Sequence, residues 1–411
     1  MVAVCQWKQI PLAPPDSIFH LTVAYKADPS LQKINVGVGA YRDEDNKPWV
    51  LPVVKKATGI LLNDPTLDHE YLSVTGLPEF GSAAAKLILG SNSHALAESR
   101  VVSVQTISGT GANHLGALFL SRFYQWNGPP VVGLSNPTWS NHDAIFKNVG
   151  ITPVDYPYYN PATIGLDYNG FLAALRNAVP RSVFLLHACA HNPTGVDPTK
   201  KQWTAIADVM LEKGHYAFFD CAYQGFASGD LDQDAFAVRY FVERKVPLLI
   251  CQSFSKNAGL YGERIGALHV VSSTAEEGAR VDSQLSVLQR SEIGNPPSHG
   301  ARLVSLILND PDLFEEWNRD IKTMAQRIIA MRQELYHLLT KELKTPGSWE
   351  HIINQIGMFS FTGINPSQCQ VLLAKAHIYL PTNGRISMAG LNSKNIRYFA
   401  ESLDKAVRGT L

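Results

Sequence analysis

Apolar and polar positions through the middle of the chain follow two alternating rhythms. The runs VVSVQTI (101–107), PPVVGLS (129–135), SVFLLHACA (182–190), HYAFFDCAY (215–223), VPLLICQS (246–253) and IGALHVV (265–271) are short and rich in β-branched or apolar residues. They read as strands. Between them, GANHLGALFLSRF and DPTKKQWTAIADVMLEKG carry helical spacing, the second opened by a proline and stopped at Gly214. Strands alternating with helices predict an α/β fold with a mostly parallel, doubly wound sheet. Such sheets bind ligands beyond the carboxyl ends of their strands.

Further on, Leu313, Trp317, Ile321, Met324, Ile328, Met331, Leu335 and Leu338 recur at steps of three and four. This predicts one long amphipathic helix, ended by TPG at 345–347 and long enough to be a spine between two units. From GMFSFTG onward the pattern predicts short strands and a final helix. With 411 residues the chain has room for two domains, the smaller made from both chain ends.

Charge narrows the functional classes. Lys+Arg and Asp+Glu are equal at 36 each, so nothing points to nucleic acid or an anionic membrane surface. No apolar run approaches the roughly 18 residues of a membrane span. The five cysteines (Cys5, Cys189, Cys221, Cys251, Cys369) are scattered without a C-x-x-C pair, which fits a reducing compartment, most simply the cytosol.

Polar residues gather where predicted strands stop: Trp139 after SNPT, Asn192 after LLHACAH, Asp220 after AFF, and Lys256 after CQSFS. Lys256 has two chemical readings besides that of a surface lysine. A phosphate-binding lysine needs a G-x-x-x-x-G-K-[ST] loop, and the chain has none. An amine nucleophile forming a Schiff base needs desolvation or a nearby cation such as Arg264 to lower its pKa. Asp220 suits either a protonated pyridine nitrogen or an ordinary cap or ion pair. SGTGAN (108–113) offers amides and hydroxyls for a phosphate at a helix N-terminus. Trp139 is either core or a stacking surface. His187, Cys189 and His191 alternate as on one strand face, too close together to wrap a metal, and no remote Cys/His cluster completes a site. Arg290 and Arg385, isolated among apolar or small residues, suit either structural ion pairs or the two carboxylates of a dicarboxylic substrate.

Several long segments resemble the aspartate aminotransferase family in its eukaryotic cytosolic-type branch. They are NVGVGAYRDEDNKPWVLPVVKKA, LLHACAHNPTGVDP, DCAYQGFASGDL, SFSKNAGLYGERIGALHVV and GMFSFTGI. The resemblance runs from about Pro14 to the final helix. It implies a fold type I, pyridoxal 5'-phosphate-dependent homodimer, with an amino-terminal arm (1–14), a small domain from 15–48 and 324–411, and a large domain from 49–323. It implies reversible amino transfer from L-aspartate to 2-oxoglutarate, giving oxaloacetate and L-glutamate by a ping-pong mechanism in the cytoplasm.

The same resemblance assigns Lys256 the Schiff base and Asp220 the ring nitrogen, supported by His187 and, near the aspartate, His142. It gives Asn192 and Tyr223 the phenolic oxygen, and Trp139 the ring face. Ser108, Gly109, Thr110, Ser253 and Arg264 form the phosphate cup, and Tyr71 reaches the neighbouring subunit's phosphate. Arg385 takes the substrate's α-carboxylate, Arg290 the distal carboxylate across the dimer, and Gly39 a backbone contact near the substrate. It also marks Asn136–Pro137 and Asn192–Pro193 as cis. At Gly294 the chain departs from the family serine, which removes one phosphate hydrogen bond.

Overall fold

A computed structural model describes residues 7–13 and 17–411; Cys5, residues 1–6 and 14 of the expected arm, and residues 15 and 16 lie outside them. Thirteen strands are formed among the described residues: β1 (Ile34–Asn35), β2 (Val101–Ile107), β3 (Val131–Asn136), β4 (Thr152–Pro157), β5 (Tyr159–Asn160), β6 (Gly165–Leu166), β7 (Val183–His187), β8 (Tyr216–Cys221), β9 (Leu248–Ser253), β10 (Ile265–Val271), β11 (Phe359–Phe361), β12 (Ile378–Tyr379) and β13 (Arg385–Ser387).

Seven strands make the central sheet in the order β2-β10-β9-β8-β7-β3-β4. All its pairings are parallel except those of β10, which runs antiparallel to both neighbours. The six runs picked out by the pattern are all strands of this sheet. The seventh, β4, lacks that pattern because Pro153 and Pro157 break it, and it is an edge strand, the position that tolerates proline. β7 and β9 are buried along their full length, so they read as continuous apolar runs. Alternation still works within them: Phe218 packs into the apolar layer on one face of the sheet and its neighbour Phe219 into the layer on the other.

The long helix spans Pro311–His337, continues as a π-helical turn over Leu338–Glu342, and buries Leu313, Trp317, Ile321, Met324, Ile328 and Leu335. Trp317 also donates its indole N–H to the Asn257 carbonyl at 3.0 Å, tying this helix to the residue after Lys256. The two ends of the chain meet where β1 pairs in parallel with β12. A third apolar cluster links Ile34 and Val36 with Leu372, Ile378 and Phe399.

One sequence expectation fails here. β7 ends at His187, so Cys189 and His191 do not continue a strand face. Ala190 takes a left-handed φ of 49° and the chain turns. His191 then stacks on Tyr158 at 4.0 Å and bonds Ser135 and Thr194, which spends both its ring nitrogens.

Candidate active site

The parallel strands all finish at one end of the sheet. Antiparallel β10 begins at that same end, so Arg264 enters where the others leave. A cavity of about 190 Å³ opens there, lined by Gly39, Ser108, Gly109, Thr110, Trp139, His187, Asn192, Asp220, Tyr223, Ser253, Lys256 and Arg264. A larger groove of about 690 Å³ lies at the opposite end of the sheet, beside Tyr216 and Pro247, and none of the sequence-selected residues lines it.

At the cup, Ser108 and Arg264 both hold left-handed φ angles, 61° and 52°. Such angles are costly for non-glycine residues and persist only where the surroundings fix them. Here they fix each other. Ser108 N–H donates to the Arg264 carbonyl at 2.9 Å, and the Arg264 guanidinium donates to Ser108 Oγ. Thr110 N–H points to Ser108 Oγ at 3.3 Å and Ser255 N–H to Ser253 Oγ at 3.2 Å, on adjoining turns.

Lys256 lies 5.4 Å from the centre of the Tyr223 ring, and no ion pair holds it among the described residues. Burial lowers its pKa, opposed by Asp220 and reinforced by Arg264. Asp220 sits at the end of β8. Burial alone would raise its pKa, but the hydrogen bond that His142 donates, the largest opposing effect, leaves it below the ordinary carboxylate value.

A chain of hydrogen bonds fixes that carboxylate. Asn192 backbone N–H donates to His187 Nδ1 at 3.2 Å, which leaves His187 Nε2 to donate to Thr138 Oγ1 at 3.1 Å. Thr138 in turn donates to His142 Nδ1 at 2.9 Å, and His142 Nε2 donates to Asp220 Oδ2 at 2.9 Å. Because the first donor is a main-chain amide, the sense of every bond follows. Burial pushes the His187 pKa down to about 3, consistent with a neutral ring. Thr138 was not selected from sequence; its only signal is its place in NPTW, between Pro137 and Trp139. Both Asn136–Pro137 and Asn192–Pro193 are cis.

Tyr223 is buried, with its phenol pKa raised by burial against the opposing charge of Arg385. The Arg385 guanidinium lies 4.3 Å from the centre of the Phe359 ring and donates from Nη2 to the Gly37 carbonyl at 2.6 Å; its Nε is buried without a partner. Phe359, also not selected from sequence, explains Gly39: a Cβ there would lie 2.8 Å from the end of the ring. Arg290 and Tyr71 are not brought to the cavity of this chain. Tyr71 is 83% exposed, and Arg290 is exposed on the Ala275–Glu292 helix, bonded to Asn295 Oδ1 at 2.8 Å.

Gly294 has a φ of 74° and open space around its missing side chain. A side chain fits there but must adopt left-handed backbone. Gly294→Ala is therefore expected to destabilise the protein by about 1 kcal/mol, seen as a lower thermal midpoint.

Asn192 Oδ1, buried without a partner among the described residues, and the Lys256 amine face a hydroxyl- and guanidinium-lined cup. Unpaired buried polar groups of this kind imply a bound polar group. A fold of this type with such a site defines a pyridoxal-phosphate-dependent transferase. The family model described as aminotransferase class I and II matches residues 32–403. The chain is 49% identical to the cytoplasmic aspartate aminotransferase of Schizosaccharomyces pombe over 396 residues, which cover 96% of this chain and 97% of that one. It superposes with a TM-score of 0.95 on the structure of aspartate aminotransferase from Saccharomyces cerevisiae cytoplasm, at 49% identity and 99% coverage of both chains. An aromatic-amino-acid aminotransferase from Burkholderia pseudomallei, covalently bound to pyridoxal phosphate, matches at 38% identity with a TM-score of 0.94, over 98% of this chain and 99% of that one. The chain belongs to the class I and II aminotransferase family.

Proposed function

We propose that the protein is an aspartate aminotransferase, moving the amino group of L-aspartate to 2-oxoglutarate to give oxaloacetate and L-glutamate, with pyridoxal 5'-phosphate as cofactor. The observation that carries this reading is the convergence of Lys256, Asp220, Asn192 and the Ser108–Arg264 cup on one cavity, with Arg385 and its free Nε beside it. We place the enzyme in the cytoplasm, with its cytoplasmic relatives, as a homodimer. That assembly gives the exposed Arg290 and Tyr71 a second chain to serve.

The residues divide the work of holding the cofactor. Ser108, Gly109, Thr110, Ser253 and Arg264 take its phosphate, with Tyr71 of the second chain. Asp220 faces its ring nitrogen, Asn192 and Tyr223 its phenolic oxygen, Trp139 its ring face, and Lys256 its aldehyde. When bound, the cofactor supplies an electron sink for the pair left at the substrate Cα.

Everything else is done by the chain. Arg385 seats the α-carboxylate in a charge-assisted fork, and Arg290 of the second chain takes the distal carboxylate. With the carboxylates held, the Cα–H bond is presented to the Lys256 amine. Burial favours the neutral amine of Lys256, as a general base near neutral pH requires, so it takes the Cα proton and later returns one. His142, directed by Thr138 and His187, keeps Asp220 ionised throughout. Burial of these groups strengthens each interaction by excluding water.

Ping-pong transfer has a direct spectroscopic test. Adding L-aspartate alone to the purified holoenzyme is expected to remove the visible absorbance of the bound cofactor, and 2-oxoglutarate is expected to restore it. A band that L-aspartate leaves untouched, or one that does not return, would refute the assignment.

A further inference from the structure

Arg332, on the inner face of the Pro311–His337 helix, is the one arginine among the described residues that is fully buried, at 2% exposure. No carboxylate pairs with it there. Its guanidinium instead donates to three main-chain carbonyls: from Nη1 to Ile352 at 2.9 Å, and from Nη2 to Gly357 at 2.9 Å and Phe359 at 2.5 Å. Nε has no hydrogen-bond partner among the described residues. Burial lowers its pKa to about 9, so the group is still charged at neutral pH. A buried cation with no counter-ion is among the more expensive things a fold can contain. A methionine or leucine would fill the space without that cost.

What the cation holds is the 352–359 segment, and this segment touches both halves of the site. On one side it is pressed backbone to backbone on the loop that follows β7. Ile356 N–H donates to the Gly195 carbonyl at 2.8 Å. A Cβ on Gly195 would meet the Phe359 carbonyl oxygen at 2.6 Å, and one on Gly357 would meet Ala190 Cβ at 2.4 Å. That loop carries Asn192. On the other side the Phe359 ring supports the Arg385 guanidinium. The Phe359 carbonyl oxygen, the atom Arg332 grips most closely, thus lies between the Asn192 loop and the seat of Arg385.

We infer that Arg332 is a positioning residue for substrate recognition: by drawing together the carbonyls of Ile352, Gly357 and Phe359, it sets where Phe359 seats Arg385 relative to the Asn192 loop. This rests on the reading that Arg385 receives the α-carboxylate. A lysine keeps the charge but cannot reach three carbonyls in fixed directions, so the seat shifts, and small misplacements cost heavily in recognition.

The test uses holoenzyme carrying Arg332→Lys, Phe359→Leu, Arg385→Lys, and the Arg332→Lys/Arg385→Lys pair. Arg332→Lys is expected to raise KM for L-aspartate and 2-oxoglutarate together, by about ten-fold, with kcat within two-fold and the bound-cofactor spectrum unchanged. Phe359→Leu keeps the carbonyls that Arg332 binds and removes only the ring. It should reproduce the KM rise with only a modest fall in thermal midpoint, and it carries the test if Arg332→Lys fails to fold. In the Arg385→Lys background the Arg332→Lys penalty should largely vanish, since both act on one contact. An Arg332→Lys enzyme of normal KM, or a penalty undiminished beside Arg385→Lys, overturns the inference. A normal KM in Arg385→Lys alone overturns instead the reading of Arg385 on which it depends.

Discussion

Lys256→Ala is expected to abolish transamination, with at least about 10²–10⁴-fold lost from proton transfer alone. Among the described residues the amine has no ion pair to maintain, and burial favours its neutral form, so its role is chemical rather than structural. Lys256→Arg separates charge from basicity. A guanidinium preserves the positive charge but does not lose its proton in a protein, so this variant is expected to be as inactive as the alanine. The check is single-turnover rate with L-aspartate, together with the thermal midpoint. Retained turnover in Lys256→Arg would mean that the lysine supplies only charge.

Arg290→Ala should separate substrates rather than stop chemistry. Arg290 is exposed, and among the described residues its one bond is to Asn295, so removing it disturbs little of the fold. Losing a charge partner for the distal carboxylate is expected to cost about 10²-fold in kcat/KM for L-aspartate. L-Alanine, with no distal carboxylate, should be turned over as before. Comparing kcat/KM for the two amino acids reads this out, and an equal loss for both would remove Arg290 from substrate selection.

Much of this architecture could be read from periodicity. Buried strands such as β7 and β9 have no polar face, so their runs stand out. The long helix shows its apolar stripe through Leu313, Trp317, Ile321 and Met324. β4 was hidden because edge position and proline go together, and HACAH misled because period-two spacing persists past the end of the strand that suggests it. Within the site, Lys256, Asp220, Asn192 and Trp139 were legible because each lies at a strand end or just past one. Thr138, Phe359 and Arg332 were not. Each acts through a neighbour, and the contact that gives it meaning joins residues far apart in sequence: Thr138 with His187, Phe359 with Arg385, Arg332 with the carbonyls of 352–359. Arg290 and Tyr71 illustrate another limit, since a single chain leaves them exposed and only the family resemblance gives them a task.

The hydrogen-bond chain that ends on Asp220 begins at a main-chain amide, and this makes it a one-way device. A hydroxyl or an imidazole can exchange the roles of giver and receiver; the Asn192 N–H cannot. Every later member inherits its orientation from that fixed end, so Asp220 is always offered a hydrogen by His142 and never asked for one. The carboxylate's ionisation is thereby written into the path of the backbone, out of reach of any single replacement at Asn192 except proline, which alone removes the N–H.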